Sequence, residues 1–575
     1  MRAVPPPAPA ADDHGARTDP VLVAGGGPVG LCAALALARA GVPSVVLEAG
    51  PDPRTDPARA AGSKAICFQR DVLDVFDRLG AAGPLLAEGT TWTTARTYYR
   101  GREVRTVTFP DTPGTPGRLP PWINISQARV ERELLRAALA SPLVRFVHGH
   151  RVTGLAQDTA GVTAATEGAG GSAEWRGSHL VAADGPRSTV RHLLGIGFPG
   201  RSFADRFLIC DIRADLPFPN ERRFYFDPEW NPGRQVLVHQ CPDSTWRIDW
   251  QVPEDYDAEA ERASGGLDRR IRRIVGERPY TVVWSSVYRF HQRCADRLRA
   301  GRVLLAGDAA HLYAPFGARG LNSGVHDAEN LAWKVAAARR VEAAAPGAAE
   351  ALLESYHTER RAAAQENLRV TGATMRFLVP HGEDEARLRR QTLERALTDP
   401  RARERIDSGK LAEPYWYTAS PLTTPLPGAE PVPGEPGRPR PPVPGVICPD
   451  ASCRDPGAGA PTRLRRLLGP GFTVLVPDAA AAGPVAAATA GLPAPVAVLV
   501  LSDLDTPDGA VAEALRCAGT AHVVRPDAHL CAVVPAGDTA AVRAAIRRAC
   551  GLDRPEAPAP APGAPAAHRP AGPDR

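Results

Sequence analysis

The sequence predicts an α/β protein in three parts: a doubly wound body, a β-rich domain inserted into it, and a small separate α/β unit. Three observations carry this. The body opens strand–helix–strand in VLVAGGGPVGLCAALALARAGVPSVVLEAG, with a buried strand at 21–24, an alanine-rich helix at 28–40 and a second strand at 44–48. From about 200 to 290 the pattern turns aromatic and alternating, in RRFYFDPEW, RQVLVHQ and TWRIDWQVP, which read as antiparallel strands, before α/β character resumes at RVLLAGD. A proline-rich stretch, TPLPGAEPVPGEPGRPRPPVPG, then sets off FTVLVPD, APVAVLVLS, HVVRPDAHLCAVVP and the helical AAVRAAIRRAC.

These boundaries divide the 575 residues as follows. Residues 1–18 form a disordered Pro/Ala tail, 19–200 and 290–380 a discontinuous ligand-binding domain, and 200–290 the inserted β-rich substrate domain. A helical extension covers 380–423, the linker 424–445, the small domain 446–552, and a second disordered tail 553–575. The length is too great for one ordinary core, in keeping with several domains.

A net charge of +5 and a pI near 8.7 come from scattered arginines, with no lysine-rich or aromatic-basic block, so nucleic acid is not an expected partner. The ten cysteines include no C-x-x-C pair. Such scatter fits reduced thiols better than a disulfide framework or a metal site, and no metal is expected. The first twenty residues lack the apolar core of a signal peptide, and no window reads as a membrane span. The expectation is a cytoplasmic protein that does not engage a membrane.

Taken in order, the first motif is Gly25-Gly26-Gly27-Pro28-Val29-Gly30, a G-x-G-x-x-G between a strand and a helix. Its glycines let the backbone approach a pyrophosphate, which the helix N-terminus favours through its unpaired N–H groups. Glu48 ends the second strand roughly twenty residues on, where a carboxylate can accept from ribose hydroxyls. This motif alone serves FAD and NAD equally. The second motif is the Asp184-Gly185 turn that ends HLVAADG, with Arg187 and Arg191 beyond it on a helix; by itself this is most simply a turn. GAGG at 168–171 follows no apolar strand and reads as a hairpin tip.

The third motif, AGDAAHLYAPFGARGLNSGVHDAENLAWK, is the most specific. Gly307-Asp308 follows a strand, and an Asp there can hold a ribityl hydroxyl. The loop amides around Gly320, Leu321 and Asn322 can donate to the pyrimidine edge of a flavin.

Together GGGPVG, ADGPRS and this third segment resemble the class A flavoprotein monooxygenases of the phenol hydroxylase, 3-(3-hydroxyphenyl)propionate hydroxylase and polyketide hydroxylase type, over most of residues 20–420. The resemblance implies a Rossmann-like FAD-binding domain of the glutathione-reductase type, the inserted substrate domain, and a thioredoxin-like C-terminal domain without redox cysteines. It further implies that Gly25, Gly27, Pro28, Gly30 and Glu48 hold the ADP half of FAD. Gln127 opens a helix beside the cofactor, and Asp184 contacts FAD and NAD(P)H. Gly307 and Asp308 meet the ribityl chain, while Pro315, Gly317, Gly320, Leu321 and Asn322 surround the isoalloxazine. Arg247 is the strand arginine that faces the flavin.

Two positions depart from the family pattern. Lys64 stands where most members have Arg, keeping the charge without the bidentate fork. Cys241 occupies the place of a carboxylate-binding arginine. Strand alternation puts Trp246 and Trp250 on one face of TWRIDWQVP and Arg247 with Asp249 on the other. The tryptophans are core by default, and Arg247 and Asp249 are the candidate catalytic pair. His311, His326, Trp92, Tyr98 and Tyr99 default to structural roles.

The implied reaction consumes NADH or NADPH and O2, and inserts one oxygen atom into an aromatic, phenolic substrate through a flavin hydroperoxide. The nicotinamide binds in a groove, since only one dinucleotide fingerprint follows a strand. A homodimer is among the assemblies this allows. The rivals are an epoxidase or Baeyer–Villiger enzyme, a halogenase, a plain dehydrogenase, and a non-catalytic flavoprotein. The halogenase W-x-W-x-I-P does not fit WRIDWQVP, and a dehydrogenase leaves the third motif unexplained.

Overall fold

The computed structural model describes residues 19–55, 65–109, 118–426, 440–504, 509–516 and 518–553. The 1–18 tail, the 553–575 tail beyond its first residue, and 427–439 of the linker lie outside these.

In chain order the body runs β1 (Val21–Ala24), α1 (Pro28–Arg39), β2 (Ser44–Glu48), β3 (Cys67–Gln69), α2 (Arg70–Arg78), β4 (Thr94–Tyr99), β5 (Arg102–Thr108), α3 (Gln127–Ala140), β6 (Val144–His148) and β7 (His179–Ala182). Then come β8 (Gly200–Ala214), β9 (Glu221–Phe226), β10 (Gln235–Cys241), β11 (Thr245–Val252), α4 (Gly266–Val275), β12 (Tyr280–Cys294), β13 (Val303–Leu305), α5 (Gly320–Val341) and α6 (Pro346–Leu378).

A six-stranded sheet holds β13, β7, β1, β2 and β6 in parallel, with an antiparallel edge at Arg299–Ala300. Its inner strands β13, β7, β1 and β2 are short and buried throughout because both faces are covered. Pro28 opens α1 where a missing N–H costs nothing. GAGG does form a hairpin tip, with Gly168 opposite Gly171 in a three-stranded meander.

The eight-stranded sheet runs His311–Leu312, β12, β8, β11, β10, β9, β4, β5. The sequence pattern places the inserted domain at 200–290, but this sheet takes β4 and β5 from residues 94–108 and extends to Cys294. The cause is the alternating burial of Thr94–Tyr99, which lets β4 pair in parallel with β9. One face carries Trp246, Ile248 and Trp250 against Ile271 and Val275 of α4. The other carries Phe207, Phe224 and Phe226 against Phe316, Met375 and Leu378. Alternation along β11 thus turns Arg247 and Asp249 toward the body.

The C-terminal unit is β14 (Phe472–Val476), α7 (Ala479–Thr489), β15 (Val496–Val500), β16 (Thr520–Val524), β17 (Leu530–Pro535) and α8 (Thr539–Ala549). The sheet order β15-β14-β16-β17, with the first pair parallel and the rest antiparallel, is the order a thioredoxin-like fold requires. Phe472, Val474 and Val523 share one continuous apolar core with Leu331 and Val335 of α5, so the unit is packed onto the body rather than tethered to it.

Cys448, Cys531 and Cys550 are buried thiols pushed up to about 12, and Cys453 to about 11, all by burial. A buried thiol with so little thiolate is a poor nucleophile. These four should react with a thiol reagent near neutral pH only after denaturation. Fast labelling of any of them in the native protein would show otherwise.

Among the described residues no helix is long and apolar enough to cross a membrane.

Candidate functional site

The three sequence motifs follow the carboxyl ends of adjacent parallel strands β1, β7 and β13, the crevice where open α/β sheets bind ligands. Glycine is demanded at the closest approaches. Gly25 has φ +103°, and a Cβ there would lie 2.4 Å from the Ala183 carbonyl oxygen. A Cβ on Gly30 would stand 2.0 Å from the Gly25 oxygen. Gly307 and Gly324 both close on the Val29 side chain, at 2.9 and 2.6 Å, so the first and third motifs meet at Val29.

Gly27, the N-cap of α1, differs: a Cβ there meets nothing within 4 Å. The same holds for Gly320 at the start of α5. Both helix N-termini therefore open on free space with their first N–H groups presented to it. A dinucleotide whose pyrophosphate lies at one helix end and whose ring system lies at the other fits this pair of openings. The Glu48 carboxylate accepts from Gly26 N (2.6 Å) and Gly50 N (2.7 Å), holding the edge of the glycine turn.

Asp184 is occupied in supporting this turn. Its oxygens accept from Ser188 Oγ (2.6 Å) and Val190 N (3.1 Å), fixing a short helix at Thr189–Leu193. Arg191 lies on that helix and Arg187 precedes it, so only one of the two expected arginines is helical. Arg191 Nη1 donates to the Ala309 carbonyl (2.9 Å), tying the second motif to the third. Gln127 opens α3 and accepts from Ala65 N (3.1 Å). Lys64 lies outside the described residues.

In the third motif, Asp308 is half-buried in a short turn, Gly307–Ala309. The segment expected as a loop is helical from Gly320 onward, so the Gly320, Leu321 and Asn322 amides belong to the first turn of α5. As the first residues of a helix their N–H groups have no intrahelical acceptor, which serves the same purpose. Gly317 has φ +93°, and a Cβ there would press on the Lys410 oxygen at 2.2 Å. Pro315 is exposed. Asn322 donates to Cys67 O (3.0 Å) and accepts from Gln69 N (3.3 Å), pinning β3 to α5. This turn borders a narrow crevice walled by Gln69, Asn322, His326, Arg360 and Tyr415.

The body-facing side of the eight-stranded sheet aligns Asp211, Arg247 and His239 in register. Arg247 holds Asp211 through two bonds of 2.8 Å, and its guanidinium sits 5.7 Å from the Trp284 ring. Asp249, two residues on, is half-buried with Oδ1 enclosed and without a hydrogen-bond partner among the described residues. Burial, against the pull of Arg247 and with the push of Asp211, raises its carboxyl to about 7. Burial and the neighbouring arginines Arg222 and Arg247 hold His239 well below the usual range, so it is neutral. Cys241 lies in an apolar cluster with Trp92, Trp122 and Cys67. Trp92 stacks on Trp122, and Tyr98 on Tyr225.

His311 and His326 are both buried. His311 Nε2 meets Asp327 Oδ2 at 2.6 Å, and burial lowers His326 to about 3. Sequence reasoning passed over Asp327 and Arg360. Asp327 Oδ2 accepts from Gly307 N (3.0 Å) and Oδ1 from Arg360 Nε (2.5 Å). A signal was present: Asp327, Asn330 and Lys334 recur at three- and four-residue spacing along one stripe of a helix that is buried over most of its length.

Residues 18–371 match the family model described as FAD binding domain, and residues 441–552 that described as aromatic-ring hydroxylase, C-terminal. The chain is 32% identical over 351 residues to para-nitrophenol 4-monooxygenase of Pseudomonas sp. (strain WBC-3), covering 60% of this chain and 83% of that one. It is 32% identical over 376 residues to the 12-dehydrotetracycline 5-monooxygenase/anhydrotetracycline 6-monooxygenase of Streptomyces rimosus, covering 63% and 70%. Its fold superposes on aklavinone-11 hydroxylase solved with FAD and aklavinone, with a TM-score of 0.72, 25% identity, and coverage of 95% and 100%.

Proposed function

Because the chain belongs to the FAD-dependent aromatic-ring hydroxylases, and is thus a monooxygenase of aromatic substrates, we propose that its substrate is a phenol held against the Asp211–Arg247–Asp249 row, with Asp249 accepting the phenolic proton. The observation that carries this is the Asp249 carboxyl. Its Oδ1 is enclosed and without a hydrogen-bond partner among the described residues, and burial pushes the carboxyl up to about 7, where a group can both take and return a proton. Arg247 is already neutralised by Asp211, so its part is to hold the row and favour the phenolate.

The chemistry supplied by bound FAD is transfer of two electrons from NADH or NADPH to O2, one atom of which enters the ring. The residues proposed to hold it are Gly25, Gly27, Pro28, Gly30 and Glu48 at the ADP half, with Gln127 and Asp184 beside them. Gly307 and Asp308 take the ribityl chain, and Pro315, Gly317, Gly320, Leu321 and Asn322 the ring. The chain's own task is to place the phenol, draw off its proton and exclude water.

Relatives named for a single-ring nitrophenol and for the fused-ring tetracyclines span the sizes available. Half-buried Trp284 and Tyr288, with ring centroids 6.3 Å apart on β12, favour the larger class.

A direct test reads the ultraviolet spectrum of a bound phenol. Wild-type protein should bind it as phenolate at a pH where the free phenol is neutral, and Asp249→Asn should bind it neutral. Identical spectra in the two proteins would remove Asp249 from the role.

Asp308→Ala tests the cofactor assignment. The variant should purify with most of its FAD missing, since a ribityl hydroxyl loses a charged acceptor. Full occupancy, read from flavin absorbance after denaturation, would place the ribityl chain elsewhere.

A further inference from the structure

The body and the C-terminal unit are joined by two buried ionic clusters in addition to their shared apolar core. In the first, Arg525 Nη1 and Nη2 donate to Glu359 of α6 (2.7 and 3.0 Å), and Nε and Nη2 to Asp527 (3.0 and 2.5 Å). Asp527 also accepts from Asn330 and Trp333 of α5, and Lys334 Nζ donates to Glu359 (2.6 Å). Tyr417 lies beside this cluster, with Arg525 5.1 Å from its ring centroid and His529 at 4.5 Å. Its hydroxyl accepts from Arg360 Nη1 (2.8 Å).

From Arg360 the connection reaches the cofactor end of the body. Its Nη2 donates to Ser323 O and Oγ in the first turn of α5 (both 3.1 Å). Its Nε grips Asp327, which receives the Gly307 amide next to Asp308. Burial would raise the Asp327 carboxyl, but His311 and Arg360 hold it well below the usual range, so it is an anion.

The second cluster lies on α2. Asp71 receives Arg440 (2.9 and 2.8 Å) and Arg465 (2.8 Å), Asp74 receives Arg463, and Asp77 receives Arg463 as well (2.6 Å). α2 follows directly on β3, whose Cys67 and Gln69 are the backbone partners of Asn322. The C-terminal segment thus holds both elements that Asn322 joins.

Adhesion alone does not require this. The apolar core already runs across the junction, and buried ion pairs are a weak source of stability compared with apolar groups of like shape. What they do supply is a fixed geometry, because each misplaced charge is left buried and unpaired.

We propose that the C-terminal domain sets the affinity for FAD, with its Arg525 and, on the preceding helical extension, Tyr417 as positioning residues that act through Arg360 on the Gly307 turn and the first turn of α5. This rests on the reading that the ribityl and ring portions of FAD lie at residues 307–322.

The test titrates FAD into full-length apoprotein by flavin fluorescence. Tyr417→Phe keeps the ring and removes only the hydroxyl that meets Arg360, and should raise the Kd for FAD about tenfold, the scale of one hydrogen bond to a charged group. Thr423→Val is the control. It removes a hydroxyl that donates to the Tyr417 carbonyl (2.9 Å), outside the connection to Arg360, and should leave the Kd unchanged. In an Arg360→Gln background, Tyr417→Phe should add less than about twofold, because its effect passes through Arg360, which reaches both Asp327 and Ser323. An unchanged Kd in Tyr417→Phe, an equal rise in Thr423→Val, or additive effects in the double variant would overturn the proposal. Absence of FAD binding by the wild-type protein is a different result, which overturns the site assignment and this proposal with it.

Discussion

Asp249→Asn should hydroxylate about 10²-fold more slowly than the wild-type protein, the usual scale for a positioned acid–base group, while retaining its FAD. The carboxyl faces the body from β11, and the glycine turns proposed to cradle the cofactor lie on other elements. The wild-type rate should rise with pH through about 7 as Asp249 ionises, and that step should vanish in the variant. Stability should move the other way. Burial raises this carboxyl from 3.8 to about 7, so its contribution to folding is full below about pH 4 and is lost as pH rises through about 7. Asparagine cannot ionise and escapes that loss. The thermal midpoint of Asp249→Asn should therefore gain on the wild type between about pH 5 and about pH 8. A slower, more alkali-tolerant variant would identify a group strained for use. Wild-type rates with an unshifted pH profile would show that the row faces away from the chemistry.

Gly27→Ala and Gly30→Ala should separate the cofactor cradle from the fold. At Gly27 a methyl meets nothing within 4 Å, and φ is an ordinary −75°. The apoprotein should unfold at the wild-type temperature, yet FAD should bind roughly ten- to hundredfold more weakly, because the methyl takes space the pyrophosphate needs. At Gly30 the methyl would stand 2.0 Å from the Gly25 oxygen, a backbone atom that cannot swing aside. That variant should lose about 3 kcal/mol or more of stability along with its FAD. Apoprotein calorimetry and FAD titration on both variants check this. Equal FAD affinity in Gly27→Ala and wild type would mean that the open N-cap of α1 is not the pyrophosphate site.

The sequence was most readable where chemistry is local. A strand, a glycine turn and a helix lie within thirty residues, so GGGPVG announces its own geometry, and the third motif does the same through Asp308 and Gly317. Period two along TWRIDWQVP placed Arg247 and Asp249 on one face, because a pleated strand has no other choice. Sequence by itself thus determined the class of fold, the family and the FAD requirement. What it could not show depends on contacts between distant segments. Strands β4 and β5 join the substrate sheet across more than a hundred residues. Arg247 is compensated by Asp211 from another strand, while Asp249 Oδ1, two residues on, has no hydrogen-bond partner among the described residues. Arg525 and Glu359 stand 166 residues apart in the chain, and only tertiary packing makes them one buried cluster. Charge that is compensated and charge that is left over look alike in a sequence, because the difference lies in which neighbour folding delivers within hydrogen-bond reach.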